Sequence, residues 1–232
     1  MKKHGKKYAE VLKKVDTSKF YTCSEAVKLV KETSITKFDG TVELAFNLNI
    51  DSKKSDQQLR GSLTLPHGTG KDKKIVVIAR GAAAEEAKAA GADVVGDKDI
   101  LEKIKTENWF DFDVMVAAPD MMPEVGRIGN ILGPRGLMPN PKVGTVTPKV
   151  ADAVKNIKSG MVAYKNDTYG NIHTIVGKVS FDDKKLIENI EYAVKTIAKA
   201  KPTAVKGKFI TNISLTSTMA PGIKLDQNSF DI

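Results

Sequence analysis

The chain has 232 residues, 41% of them apolar and 28% charged, and its net charge is +9 because 37 Lys and Arg residues outnumber 28 Asp and Glu residues. Domains of globular proteins take ~100–200 residues, so the length predicts one or two of them, and the apolar share excludes a disordered chain. No run of ~18 apolar residues is present, so neither a membrane-spanning helix nor a membrane partner is expected. No apolar segment follows the basic N-terminus, which argues against a secretory signal. A single cysteine, Cys23, is typical of a cytoplasmic protein without internal disulfides.

The first 66 residues predict a helix followed by a half-buried strand. Thr22 and Glu25 have the spacing of a capping box, which indicates the start of a helix. From Val42 to Ile50, apolar residues alternate strictly with mostly polar ones. Such alternation is typical of an antiparallel strand with one face in the core.

From Lys74 to Ile157 the pattern changes to repeated strand–helix units. Strands are predicted at 75–79, 93–95 and 113–118, and helices at 81–90, 100–104 and 125–131. A further helix is predicted over 150–157, with Thr147 as its N-cap and Pro148 as its first residue. Repeated units of this kind imply a parallel, doubly wound sheet with a Rossmann-like arrangement.

The last 73 residues return to the first pattern. Strands are predicted at 172–179 and 209–215, and the segment between them has helical spacing after Asp182 and Asp183. Neither flank is large enough to close a core alone. We therefore expect one discontinuous α+β domain with a split antiparallel sheet, formed by residues 1–66 and 160–232, and an inserted Rossmann-like βα domain formed by residues 67–159. The crossings near Pro66–Gly70 and Ser159–Gly160 are candidate hinges.

The net charge divides along the same boundary. Residues 67–159 carry a net charge of +1, and the two flanks together carry +8. An excess of positive charge favours polyanionic partners, so a nucleic-acid surface is expected on the discontinuous domain. Solvated lysines on helix faces are the alternative explanation of the same composition.

The sequence offers little support for an enzyme. After the first strand of the middle segment, Gly81 stands alone where a dinucleotide-binding turn needs three glycines, and residues 68–71 lack the spacing of a phosphate-binding loop. The three histidines, His4, His67 and His173, are far apart and have no metal-ligand spacing, and no nucleophile motif occurs. We expect no enzyme, catalytic residue, cofactor or metal. A nucleotide-dependent enzyme built on residues 67–159 stays open as the alternative.

The most unusual stretch of the chain is the Gly- and Pro-rich segment 133–142. Arg135 and Lys142 place positive charge beside exposed backbone amides there, so the segment is either a secondary RNA contact or a rigid structural loop. Aromatic residues make up only 6% of the chain, and the signature of an RNA-recognition motif is not matched. Recognition of a folded RNA by its shape, phosphates and ribose hydroxyls is therefore favoured over stacking of its bases.

Several motifs in a fixed order identify a family. The segment 133–146 resembles the signature of the ribosomal protein L1 family, most closely its bacterial branch. Further matches occur along almost the whole chain, at 3–6, 37–39, 55–57, 65–68, 91–93, 166–167, 172–173 and 218–219.

This resemblance implies a two-domain large-subunit ribosomal protein whose first domain is built from both termini. It implies binding to the stalk region of large-subunit rRNA, help in releasing exit-site tRNA, and repression of translation from the mRNA of its own operon. A cytoplasmic, ribosome-bound protein that is a monomer when free is expected.

The resemblance also implies which residues contact RNA. They are Lys37, Phe38, Thr41 and Glu43 in the first stretch, Thr218 and Met219 in the second, and Lys165 and Asp167 in a third. Glu43 has the wrong charge for a phosphate, but a carboxylate can accept hydrogen bonds from ribose hydroxyls or orient Lys37. Without the resemblance, the simpler interpretations would be that Glu43 is a solvated surface residue, that Phe38 fills the core and that Met219 is a capping residue.

The chain departs from the family pattern at three positions. Gly40 replaces the usual glutamate, Thr168 replaces a commonly basic residue, and Ala220 replaces a glycine. If that glycine has a positive φ, alanine at 220 strains the local backbone. The missing charge at position 168 is expected to weaken the third contact.

Overall fold

A computed structural model describes residues 5–230 of the chain. The chain forms two compact units, one made of the residues up to Gly70 together with those from Val162 onward, and the other of Lys71–Met161. Residues 1–4 and 231–232 lie outside the described residues, and so do His4 and the first half of the family motif at 3–6. No helix within 5–230 is long and apolar enough to cross a membrane.

Helices and strands account for most of both units, and the chain has a mixed α/β fold, as predicted. The helices within 5–230 are α1 (Lys6–Leu12), α2 (Cys23–Glu32), α3 (Ala82–Ala89), α4 (Lys98–Glu107), α5 (Met122–Arg127), α6 (Gly129–Leu132), α7 (Val150–Lys158) and α8 (Asp183–Lys199). The strands are β1 (Thr41–Leu48), β2 (Arg60–Thr64), β3 (Ile75–Ile78), β4 (Val94–Gly96), β5 (Val114–Ala117), β6 (Met161–Lys165), β7 (Asn171–Lys178), β8 (Ile210–Ser217) and β9 (Ile223–Lys224).

The first unit is built on a four-stranded antiparallel sheet with the strand order β7-β1-β8-β9. The predicted alternation along β1 is confirmed, because Val42, Leu44, Phe46 and Leu48 are all at least 97% buried. Helices α2 and α8 contact this sheet and each other. The opposite face of the sheet carries exposed side chains such as Glu43, and β2 and β6 form a separate two-stranded sheet.

Helix α2 begins where the sequence predicts. The Thr22 hydroxyl accepts a hydrogen bond from the Glu25 amide at 3.4 Å, and the Glu25 carboxylate accepts one from the Thr22 amide at 3.0 Å. This reciprocal pair satisfies two amides that the first helical turn leaves without partners.

The second unit contains a parallel three-stranded sheet with the order β4-β3-β5. All four residues of β3 are buried, as expected for a central strand with both faces covered. Two local predictions are wrong. The helix expected over 125–131 is interrupted at Ile128, where ψ is 12°. Helix α7 is present, but it begins only at Val150, because Lys149 has a non-helical ψ of 72°; Thr147 is therefore not its N-cap and Pro148 not its first residue.

Each unit buries its own hydrophobic core. The core of the first unit uses residues between Val15 and Leu65 and between Val162 and Phe230. The core of the second unit uses residues between Ile75 and Met161 only. Since burial of apolar area is the main favourable contribution to folding, each unit has its own source of stability.

Candidate nucleic-acid interface

A short loop before β1 presents Lys37 and Phe38 to solvent. The Asp39 carboxylate holds this loop by accepting hydrogen bonds from the Ser180 amide at 3.0 Å and from the Ser180 hydroxyl at 2.7 Å. The Thr36 hydroxyl donates to the Phe38 carbonyl oxygen at 3.0 Å. The Phe38 side chain is 65% exposed, so it does not fill the core. The loop therefore presents an aromatic side chain on an anchored backbone.

Thr41 and Thr218 join two segments that are 177 residues apart in the sequence. The Thr41 amide donates to the Thr218 hydroxyl at 3.0 Å, and the Thr218 amide donates to the Thr41 carbonyl oxygen at 3.1 Å. Thr218 follows the last residue of β8, directly beside the first residue of β1. This pairing brings the first and second predicted RNA-contact stretches together at one end of the sheet.

Met219 is the most unusual residue of this end of the sheet. Its side chain is 73% exposed, and its φ of 65° lies in the left-handed region that non-glycine residues rarely adopt. Ala220 does not have a positive φ, so the backbone strain expected at position 220 is absent. The residue with the positive φ is instead the one before it, Met219. The Ala220 amide closes the turn by donating to the Ser217 carbonyl oxygen at 2.9 Å. The turn holds the Met219 side chain away from the core.

Glu43 lies on the exposed face of the sheet, next to Ile175 of β7 and Thr216 of β8. Ile175 is 39% exposed, an unusual position for a large apolar side chain on a polar sheet face. The Glu43 carboxylate forms no salt bridge within residues 5–230. Its oxygens are therefore available as acceptors for hydroxyl groups of a ligand.

Lys178 lies at the same end of the sheet, although it was not among the RNA-contact residues predicted from the sequence. Its ammonium donates to the Thr41 hydroxyl at 2.9 Å. The regular alternation along β7 would place Lys178 on the core face, since His173 and Ile175 are exposed and Thr174 is buried. A bulge opposite Val42 and Glu43 shifts the pairing by one residue and turns Lys178 to the exposed face beside Thr41. Gly177, an isolated glycine within β7 and next to the bulge, is the sequence signal that could have indicated this shift.

Lys165 and Asp167 lie at the other end of the sheet. The Asp167 carboxylate accepts hydrogen bonds from the Asn171 amide at 2.7 Å, the Tyr169 amide at 2.8 Å and the Asn171 side chain at 3.0 Å. The Asn171 side chain in turn accepts from Asn47, near the end of β1. Thr41 and Asn47 are six residues apart on β1, which corresponds to ~20 Å along a strand. The predicted contacts in the first unit therefore form two groups: one at the Thr41 end of the four-stranded sheet, and one beside its opposite end, where Lys165 closes β6 and Asp167 lies in the turn that leads into β7.

The hydrogen bonds to Asp167 change its acidity. The donors from Asn171 stabilise the carboxylate and lower its pKa, with a smaller contribution from the Tyr169 amide. The side chain therefore stays ionised at neutral pH and organises the turn between β6 and β7. Most of its acceptor capacity is used inside the protein, which makes Lys165 the group at this end with the greater freedom to contact a ligand.

Arg135 and Lys142 belong to the second unit. The Arg135 guanidinium lies 3.6 Å from the centre of the Phe110 ring, in a cation–π contact. The Lys142 amide donates to the Asn140 side chain at 2.9 Å, and both charged side chains are exposed. The structure thus places this pair in a different compact unit from the other eight predicted contacts.

The described residues contain no cluster of three or more His, Cys, Asp or Glu side chains that could hold a metal ion. Cys23 is buried at the start of α2, and burial, with a smaller contribution from the Glu191 charge, raises the pKa of its thiol to about 12. A thiol with that pKa is not a nucleophile at neutral pH.

Comparison with known protein families gives a match over most of the chain. A model described as "Ribosomal protein L1p/L10e family" matches residues 30–221, more than four fifths of the chain. The matched range includes all ten predicted RNA-contact residues, from Lys37 to Met219.

Proposed function

The chain belongs to the ribosomal protein L1p/L10e family, and we propose that it binds large-subunit rRNA through the surface formed by Phe38, Thr41, Glu43, Thr218 and Met219. Membership makes it a large-subunit ribosomal protein, and binding of rRNA is the function that this membership and the geometry support together. The proposal places RNA binding on the discontinuous domain formed by residues 1–66 and 160–232, which also carries most of the net positive charge.

The hydrogen-bonded pair of Thr41 and Thr218 is the observation that carries the proposal. It aligns two distant stretches so that Phe38 and Met219, both largely exposed, lie on anchored loops at one end of the sheet. Side chains of this kind are poor at neutralising phosphates but suited to shape and ribose recognition. Lys37 and Lys178 supply the neighbouring positive charge for the RNA backbone.

Two finer functions are proposed on the resemblance of the motifs alone. One is assistance in releasing exit-site tRNA, for which Arg135 and Lys142 in the second unit are candidate secondary RNA contacts. The other is repression of translation by binding the mRNA of the chain's own operon, through the same surface that binds rRNA. Both require an RNA partner, and neither requires a cofactor.

The alternative of a nucleotide-dependent enzyme receives no support. The family consists of structural ribosomal proteins. In the second unit, β3 is followed by Arg80 and Gly81 and then by α3, without the glycine-rich turn that cradles phosphates. The Arg80 guanidinium is already paired with Asp97 at 2.6 Å and with Glu124 at 3.3 Å.

Competition binding tests the proposal. A labelled fragment of the stalk region of large-subunit rRNA is bound to the protein and challenged with excess unlabelled unrelated RNA of the same length. A protein of net charge +9 binds any RNA at low salt, so binding by itself does not show that the protein recognises a specific RNA. We expect the labelled fragment to stay bound at physiological salt, as a specific site requires. Equal competition by the unrelated RNA would contradict the proposal.

A further inference from the structure

Among the large hydrophobic residues within 5–230, Tyr169 is the most exposed, with 84% of its surface accessible. It lies in the turn between β6 and β7, at the opposite end of the sheet from Thr41 and Thr218. The main contact surface does not include it. An aromatic ring that stays in water contributes little to folding, because it buries only a small part of its large apolar area.

The backbone that carries Tyr169 is firmly held. The Tyr169 amide donates to the Asp167 carboxylate at 2.8 Å, and the Ser52 hydroxyl donates to the carbonyl oxygen of Thr168. Gly170 has a φ of 82°, and a side chain at that position would come within 2.9 Å of the Leu48 carbonyl oxygen. The ring therefore projects from a fixed turn, so little backbone freedom remains to be lost when it contacts a ligand.

An open cavity of about 380 Å³, whose accessible lining is more apolar than polar, ends at the residue before Tyr169. It is lined by Ser52, Gln58, Lys165, Asn166, Asp167 and Thr168. This volume falls within the range of small-ligand sites, ~300–1,000 Å³.

The cavity offers a set of groups for hydrogen bonding. Asn166 is fully engaged, since its side chain accepts from the Leu59 amide and donates to the Asp167 carbonyl oxygen. The Lys165 ammonium and the Thr168 hydroxyl, in contrast, have no partner among the described residues. The amide nitrogen of Gln58 donates to the Ser52 carbonyl oxygen, which leaves the Gln58 amide oxygen as an acceptor. The residues that line the cavity thus supply a cationic donor, a hydroxyl group and a hydrogen-bond acceptor.

We propose that Tyr169 stacks on an unpaired base of the bound RNA while the adjacent cavity receives polar groups of the same nucleotide. The inference rests on the proposed rRNA-binding function and adds a recognition mode to it. An aromatic ring can stack on any base. In the cavity, the Lys165 ammonium suits a phosphate or ribose oxygen, and the Gln58 amide oxygen suits a donor group on a base edge.

Equilibrium binding of the rRNA stalk fragment to full-length variants tests this proposal. Tyr169→Ala is expected to weaken binding about 5- to 150-fold, the equivalent of ~1–3 kcal/mol per stacked base. Tyr169→Phe keeps the ring and is expected to bind like the parent. Tyr192→Ala is the matched control, because Tyr192 is an exposed tyrosine of the same unit on α8. The Tyr169 side chain is so exposed that thermal unfolding of the two Tyr169 variants should coincide with that of the parent.

A scan of the RNA identifies the stacked base. Each unpaired nucleotide of the fragment is replaced in turn by an abasic one. One position is expected to weaken binding of the parent but not of Tyr169→Ala, because both changes remove the same contact. The proposal is overturned if Tyr169→Ala binds as tightly as Tyr192→Ala, or if no abasic position loses its effect in that variant.

The same measurements separate this proposal from the proposed function. If the parent prefers the stalk fragment over unrelated RNA and Thr218→Val weakens binding, while Tyr169→Ala does not, only the stacking contact is wrong. If the parent shows no preference for the fragment, rRNA binding at this surface is wrong, and the stacking contact falls with it.

Discussion

Replacing Thr218 by valine removes a hydroxyl at the centre of the candidate interface and changes neither charge nor shape. The Thr41 amide then loses its acceptor at 3.0 Å, while the Thr218 amide still donates to the Thr41 carbonyl oxygen at 3.1 Å. The pairing of the two segments therefore persists. A hydrogen bond between partly buried groups contributes ~0.5–1.5 kcal/mol, so we expect the free energy of unfolding to fall by about 1 kcal/mol.

Affinity for RNA should fall more than stability. Contacts in the desolvated centre of an interface contribute ~1–3 kcal/mol each, equivalent to about 5- to 150-fold in Kd. The assay is equilibrium binding of the rRNA stalk fragment at several salt concentrations, with chemical denaturation of each variant in parallel. The slope of log Kd against log salt should equal that of the parent, because no phosphate contact is lost. Thr218→Ser, which keeps the hydroxyl, and Lys199→Ala, at the exposed end of α8, are the controls.

One pattern of results would refute this reasoning. If Thr218→Val and Met219→Ala bind like the parent while every removal of a lysine, Lys199 included, costs affinity, then recognition is mainly electrostatic. The surface at Thr41 and Thr218 would then be a structural feature of the sheet end and not the RNA site.

Two further predictions concern the thiol and the autonomy of the first unit. Because burial raises the pKa of Cys23 to about 12, the folded protein should react slowly with a thiol reagent at pH 8 and rapidly in denaturant, and equally fast reaction in both would contradict the burial of this side chain. The same shift means that the folded state holds the thiol proton more tightly, so this group's contribution to stability is complete at neutral pH and declines as pH rises from about 9 towards 12. Because the first core uses no residue between 66 and 161, a chain of residues 1–66 joined to 160–232 by a short linker should fold cooperatively and bind the stalk fragment. A folded but inactive product, with binding by residues 67–159 instead, would show that RNA binding is assigned to the wrong domain.

Much of the fold could be predicted because it depends on neighbours in the sequence. The capping box at Thr22, the alternation along β1 and the apolar run of β3 are local patterns, and the structure contains all three. The start of α7 was mispredicted, although its signals are also local, because the non-helical backbone of Lys149 separates Thr147 and Pro148 from the helix. The candidate RNA-contact residues came from the family motifs, and their role in binding stays a prediction.

The arrangement of those residues required the tertiary structure, because strand register is set by hydrogen bonds between distant segments. The bulge opposite Val42 and Glu43 places Lys178 beside Thr41, against the alternation of its own strand. In the turn after β8, the residue with the positive φ is Met219 and not Ala220. Composition argued against base stacking, and it is the exposure of Tyr169 on a fixed turn that argues for it. Local sequence patterns thus predicted most of the helices and the longer strands, whereas α1, β2, β6 and β9 were not predicted, and long-range pairing decided which side chains share a surface.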